Sequence, residues 1–424
     1  MRLLTILTLL SLSLASYADH HEQKAKFESP GDVSSSDFLP AALQTGPNHT
    51  VSSMAVSDGF QNTYTISSKF GEFEATGLAA LKTRVAEVDA MAYLEALSRA
   101  DVFVGALRDA GVETASAIAG VFTSPVKTVK GIPGGVDRVF AGARRGFGLT
   151  KRLFQGKSDS ATIDPKDFRE MNYLVGNSER QWASELKTNP YTTNMKLREM
   201  VSRMSVVEFI GGLPVDIALP MGAGLAVGVL GDETEIYLRS AELLEQKNRR
   251  CLAELDVEAA DIEAFINASY LTPTTQTVFC NALARLGDVE DAKKLPALFA
   301  KTESFEASNF LLQTVNLLAW YNTEISEVTK IISDDGLPYA TTDEGAVLAM
   351  LPADNLLWTD LVESRMSDIK SDKTKSLWIL GTPSKLASEQ LTKSGWKVMT
   401  TANTPSLDTL YQAGTSVANA EQHP

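Results

Sequence analysis

Residues 376–399 read SLWILGTPSKLASEQLTKSGWKVM. Ser376 to Leu380 is a compact apolar run, the signature of a short buried strand. Gly381-Thr382-Pro383-Ser384 is a turn into a helix, Lys385 to Lys393, and Gly395 stops it. Trp396 to Met399 supplies a second strand. The unit is βαβ-like, and a parallel pair with a right-handed crossover is its simplest topology.

Upstream of this unit the pattern is helical. Over 233–325, Asp256 is placed to cap a helix running through Phe265, and Thr272-Pro273 opens another that ends at Gly287. Phe305 to Tyr321 is a further apolar-rich helix. No fixed repeat length marks a solenoid. Helical patterns also cover Leu174 to Leu186 and, after the Asn189-Pro190 break, Met195 to Ile210. Gly211 to Asp232 is the most apolar part after residue 18. Leu78, Leu81, Val85, Val88, Met91 and Leu94 form one stripe of a long helix that stops near Gly111, with Lys82, Arg84, Glu87 and Asp89 largely off it. Before it, Tyr64 to Ser67 and Phe70 to Ala75 alternate as a strand pair should. The expected fold is therefore mainly α: a multi-helix bundle or irregular helical array with a small N-terminal β element and a C-terminal βαβ-like subdomain.

The expected division is a signal peptide at 1–18 and a disordered leader at 19–60. A strand pair, long helix and basic Gly-rich amphipathic stretch fill 61–157. A helical segment with an apolar hairpin follows at 158–232, a helical array at 233–370, and the βαβ-like unit with its tail at 371–424. The N-terminal reading rests on Arg2, the apolar run LLTILTLLSLSL, and Ser16 and Ala18 at −3 and −1 of a cleavage after Ala18. Leu3 to Leu14 is too short to span a bilayer. No Cys follows for lipidation, so the expected location is extracytoplasmic, periplasmic or secreted, without a transmembrane span after cleavage.

Residues 115–157 form a charge island. Eight cations stand against the single acid Asp137, a net +7 in a chain of net −14. The acidic remainder excludes nucleic acid as the main partner, because phosphate would be repelled over most of the surface. As a helix, Val136, Phe140, Ala143, Phe147 and Phe154 would share one stripe, with Arg138, Arg145 and Arg152 opposite and Arg144 and Lys151 on the flank. That layout suits a membrane interface, with Lys127 and Lys130 adding charge just upstream. The same cations could instead pair with acids of the protein itself or of an acidic protein partner.

The chain holds four histidines: His20, His21, His49 and His423. All fall in the expected leader or the final tail, which argues against Ser-His-Asp and Cys-His hydrolases and against His-ligated zinc. A chain starting at Asp19-His20-His21 could hold Cu(II) or Ni(II) in a square plane; no other metal site and no cofactor is expected. Cys251 and Cys280 are the only cysteines, able to form a disulfide or to remain inert thiols. Gly222-Ala-Gly224-Leu-Ala-Val-Gly228 fails as a dinucleotide loop because its third glycine comes one residue late. Gly156-Lys157-Ser158 fails as a phosphate loop because position 151 is Lys. Asp334-Asp335 and Asp343-Glu344 are acidic clusters in loops, the one feature compatible with a carboxylate-only glycosidase. The balance falls on a non-enzymatic exported interaction protein that associates peripherally with anionic membrane surfaces through residues 115–157. The alternatives are a carboxylate-only exported hydrolase and a helical scaffold docking an acidic protein. Oligomeric state is not legible.

Overall fold

A computed structural model describes residues 27–98, 165–211, 233–333 and 337–401. The first elements are β1 (Gly31–Ser34), a short α1 (Ala41–Gln44), β2 (His49–Val51), β3 (Met54–Ser57), β4 (Asn62–Ser68) and β5 (Gly71–Thr76). They form an antiparallel five-stranded sheet around β4. β5 pairs with one edge of β4, while β3 and β2 share the other, and β1 pairs with β3. Residues 31–57 therefore belong to this sheet, although their composition suggests a leader. Strands of three or four residues with one wet face, such as Met54–Ser57 with alternating exposure, leave no apolar run to read.

α2 (Leu78–Ser98) leaves this sheet and packs back on it. Its first half, Leu81 and Val85, is buried with Val51, Tyr64, Ile66 and Ala75. Its second half, Val88, Met91 and Leu94, packs with Trp182, Leu197, Met200, Val201 and Met204. Each such fully buried side chain is worth about 2 kcal/mol. Gly77, at φ +86°, makes the turn into the helix, and a Cβ there would come within 2.4 Å of the Gln61 amide.

The helices that follow are α3 (Pro165–Asn172), α4 (Asn177–Glu185), α5 (Met195–Gly211), α6 (Glu233–Leu238), α7 (Ala241–Glu254), α8 (Ala259–Ile266), α9 (Pro273–Leu286), α10 (Leu295–Phe299) and α11 (Phe305–Glu324). Side-chain caps set several starts: Ser240 accepts from Leu243 N–H, Thr272 from Thr275, and Ser304 from Ala307. Gly287 at φ +62° ends α9. Asp256 does not cap α8; it sits at φ +54° in the connection, two residues before the cap position Glu258. Phe265, Phe279 and Phe299 meet at the centre of the array, with ring centroids 4.3–6.1 Å apart.

The last part is not helical array plus a small unit. It comprises β6 (Val328–Ile332), β7 (Tyr339–Thr342), β8 (Val347–Leu351), β9 (Asn355–Leu356), α12 (Asp360–Asp368), β10 (Lys375–Ile379), β11 (Thr382–Pro383), α13 (Lys385–Lys393) and β12 (Trp396–Thr400). The second five-stranded sheet has the order β12-β10-β8-β7-β6, and β9 and β11 form a small parallel pair. β8, β10 and β12 run parallel, while β7 is antiparallel to both β8 and β6. α12 and α13 cover one face, burying Leu351, Leu377 and Ile379 with Val362 and Leu391. The helical array covers the other, burying Leu348, Met350 and Trp378 with Val315 and Leu318. The fold is thus mixed α/β with three sheets, which corrects the mainly α expectation. The reason lies in β8: VLAML is buried at all five positions, and a strand covered on both faces reads as a continuous apolar run, indistinguishable by period from a buried helix.

Long-range hydrogen bonds join the two sheets. Phe60 C=O accepts from Asp354 and Asn355 N–H, Gly59 C=O accepts from Leu357, and the Glu28 carboxylate accepts from Trp358 N–H and the Ser384 hydroxyl.

Candidate functional site

The three parallel strands end together, and their ends face a cleft of about 490 Å³. Pro352 and Asp354 follow β8, Leu380, Gly381 and Thr382 follow β10, and Thr401 follows β12; all six line it. The opposite walls come from α2 (Leu78, Lys82, Glu87), the Lys187–Thr193 connection, α6 (Ile236, Tyr237), the first turn of α9 and α11 (Phe305, Asn309, Gln313). Open α/β sheets place ligands at the carboxyl ends of their parallel strands, because the chain reverses there and leaves a crevice.

Asp354 joins the two sheets at the cleft floor. One carboxylate oxygen accepts from Leu78 N–H at 3.0 Å and the other from Asn62 N–H at 3.1 Å. It thereby satisfies an otherwise orphaned donor at the start of α2 from a distant part of the chain. Burial pushes its pKa up to about 6, against the pull of those two N–H groups. Lys82, one turn into α2, is 7% exposed, and burial lowers its ammonium pKa to about 8, partly offset by Asp354. Gly381 lies so close that a Cβ there would sit 2.1 Å from the Asp354 carbonyl oxygen, so only glycine fits.

Glu87 ties the second wall together. Its carboxylate is 2% exposed and accepts from the Thr192 hydroxyl, from the Asn194 amide at 3.0 Å and from Arg84 at 2.6 Å. Arg84 also donates to the Thr193 hydroxyl. At the start of α9, Thr272 caps the helix while sharing hydrogen bonds with Thr274 and Thr275, and Asn189 donates to Thr274. Hydroxyls and amides thus alternate with Leu312, Leu380, Phe38 and Phe305 around the cleft. The charged side chains of the lining balance: Lys82, Arg84 and Lys187 against Asp37, Glu87 and Asp354.

The residues singled out from sequence are not among those described around the cleft. Lys127, Lys130, Arg138, Phe140, Arg144, Arg145, Phe147, Lys151, Arg152 and Phe154 fall outside the described residues, as do Asp19, His20, His21, Asp334 and Asp335. Asp343 and Glu344 are exposed in the β7–β8 turn, at the end of β8 away from the cleft. His49 is not in a leader: it lies in β2, 5% exposed, with Nε2 3.2 Å from Leu43 C=O and its ring against Gly46. It does not line the cleft. Cys251 and Cys280 are brought together between α7 and α9. Among the described residues, no helix is long and apolar enough to cross a membrane, and no cluster of three or more His, Cys, Asp or Glu is placed to hold a metal. Lys82 and Glu87 were hidden by their position beside the apolar stripe of α2, where charged residues ordinarily meet solvent. The run Thr188-Asn-Pro-Tyr-Thr-Thr-Asn194 is the one local hint, since so many hydroxyls and amides in a connection suit a polar partner. No family model, curated protein or solved structure matches the chain.

Proposed function

We propose that the protein is a non-enzymatic binding protein that holds a small ligand of zero net charge, polar on one side and apolar on the other, in this cleft. The observation that carries the reading is the position of the cleft at the carboxyl ends of β8, β10 and β12, walled by α2, the Lys187–Thr193 connection, α6, α9 and α11. Zero net charge follows from the balance of the lining, since a strongly anionic ligand would meet three acids and a cationic one three bases. Binding is favoured over catalysis because Asp354 and Glu87 already accept hydrogen bonds from fixed donors on both sides of the cleft. A general base needs lone pairs directed at substrate.

The test is ligand-induced thermal stabilisation across a panel of cleft-sized neutral, zwitterionic, anionic and cationic compounds. A neutral or zwitterionic compound at 100 times its Kd should add about 2.7 kcal/mol, a shift of a few degrees. Gln313, half-buried on α11 and bonded only weakly to Asn309 C=O at 3.4 Å, is the position to block. Gln313→Trp should keep the parent's own melting temperature within a degree or two and lose the ligand shift. Stabilisation by anions alone, or a shift unchanged in Gln313→Trp, would reject the reading.

A second reading, peripheral association with an anionic membrane surface through residues 115–157, draws support from one observation. Asn194 caps α5 while bonded to Glu87 in the middle of α2, and the described α5 side chains pack with Val88, Met91 and Leu94 of α2. The two helices share one core, and in the chain α2 precedes the basic stretch while α5 precedes the apolar one. Flotation with anionic and neutral vesicles tests this. Salt-sensitive binding to anionic vesicles should fall about tenfold or more when Arg138, Arg145 and Arg152 are changed to Glu. Equal flotation of the charge-reversed chain removes the reading.

A further inference from the structure

Cys251 on α7 and Cys280 on α9 lie across the contact between these two helices. The Cys251 sulfur is 3.6 Å from the Cys280 carbonyl oxygen. The Cys280 sulfur is 3.9 Å from the carbonyl oxygen of Asn248, one turn before Cys251. Each sulfur thus reaches the backbone of the other's helix, and a carbonyl oxygen is only two bonds from its own Cα. The two free thiols therefore face one another across the helix contact, the approach from which a disulfide forms. Their surroundings differ sharply. Cys280 is 1% exposed, embedded with Phe279 and Leu283 in the core, whereas Cys251 is half-buried and open to solvent on one side.

We infer that Cys251 and Cys280 are a reactive thiol pair that closes to an intramolecular disulfide by exchange with a low-molecular-weight disulfide, Cys251 attacking first and Cys280 resolving. In the first step the Cys251 thiolate attacks one sulfur of the small disulfide, forms a mixed disulfide and expels one thiolate. In the second the Cys280 sulfur attacks the Cys251 sulfur, forms the Cys251–Cys280 bond and expels the other thiolate. The protein loses two electrons and two protons, and the small disulfide gains them as two thiols. The asymmetry is chemical as well as steric. The neighbouring Cys280 thiol holds the Cys251 pKa below the ordinary thiol range, while the neighbouring Cys251 and burial raise Cys280 well above it. Two inert packed thiols would leave both sulfurs unmodified. The closed bond would tether α9, whose first turn lines the cleft, to α7.

Oxidised glutathione added to the folded full-length chain, followed by intact-mass and peptide-mapping spectrometry, tests the inference. The parent should lose two hydrogens and both free thiols without retaining an adduct. Cys280→Ser should stop at one glutathione on Cys251. Cys251→Ser should acquire an adduct at least about tenfold more slowly, because the remaining thiol is buried and its thiolate fraction small. Retention of two free thiols in the parent overturns the inference. So does faster modification of Cys251→Ser than of Cys280→Ser, with circular dichroism confirming that both variants are folded.

Discussion

Replacing Glu87 by leucine should cost about 3–5 kcal/mol of folding stability, the cost of breaking a buried ionic network by removing one partner. Leucine fills much the same volume, so the loss is electrostatic. Three donors depend on this carboxylate: the Arg84 guanidinium, the Thr192 hydroxyl and the Asn194 amide. Each would be left in a site that is 2–7% exposed at Glu87, Thr192 and Asn194, where water cannot readily take over. Arg84 retains its bond to Thr193 but, among the described residues, has no other acid in contact. Urea unfolding of the single variant and of Glu87→Leu with Arg84→Leu distinguishes network loss from shape change. The double variant should recover 1 kcal/mol or more, since it no longer strands a charge. A single-variant cost below about 1 kcal/mol would show that the Lys187–Asn194 connection is held by apolar packing alone, chiefly by Tyr191, which is fully buried.

Asp354→Ala should cost about 3 kcal/mol at pH 4.5, and the penalty should narrow as pH rises. The cost comes from Leu78 and Asn62 N–H, both left without an acceptor. The narrowing follows from linkage. The Asp354 pKa is raised from an ordinary 3.8 to about 6 in the folded protein, so its contribution is fully present below the unfolded pKa and is lost as pH rises through 6. Two units correspond to about 2.7 kcal/mol, which the parent forfeits between pH 4 and 7 and the alanine variant does not. Lys82 behaves in the opposite sense. Its pKa is depressed to about 8, so its contribution is present above 10.5 and lost as pH falls through 8. Without Asp354 it loses a counter-charge that favours its ammonium form, which keeps the gap from closing completely. Denaturant midpoints at pH 4.5 and 7.5 read this directly. A gap that widens toward pH 7.5 would mean that the carboxylate is stabilised rather than strained by its surroundings.

These two residues also show why the cleft was hard to read. Glu87 sits one turn above Thr83 and beside an apolar stripe, a placement that suits a solvated face. Two of its three partners, Thr192 and Asn194, lie more than 100 residues away. Asp354 follows an apolar run and precedes another, and nothing within ten residues announces that it will cap a helix 276 positions earlier. Lys82 resembles any lysine on a helix until the second sheet closes over it. The acidic pair Asp343-Glu344 misleads in the opposite direction. Adjacent carboxylates look like chemistry, but the β7–β8 turn holds them in solvent at the far end of the sheet from the cleft.

Local rules were sufficient where the determining contacts are local. The hairpin of β4 and β5, the buried stripe of α2, the Thr272-Pro273 start and Gly287 stop of α9, and the two strands flanking α13 can all be derived from residues within a few positions of each other. Tertiary structure alone decided that VLAML is the centre of a five-stranded sheet, that three strands lie within residues 31–57 and that Lys82 and Glu87 are buried, and Asp354 half-buried, around one cleft. The physical reason is the same in each case. Helix caps, turns and amphipathic period act through neighbouring backbone groups, whereas strand pairing and burial of charge depend on what the rest of the chain places on the other side.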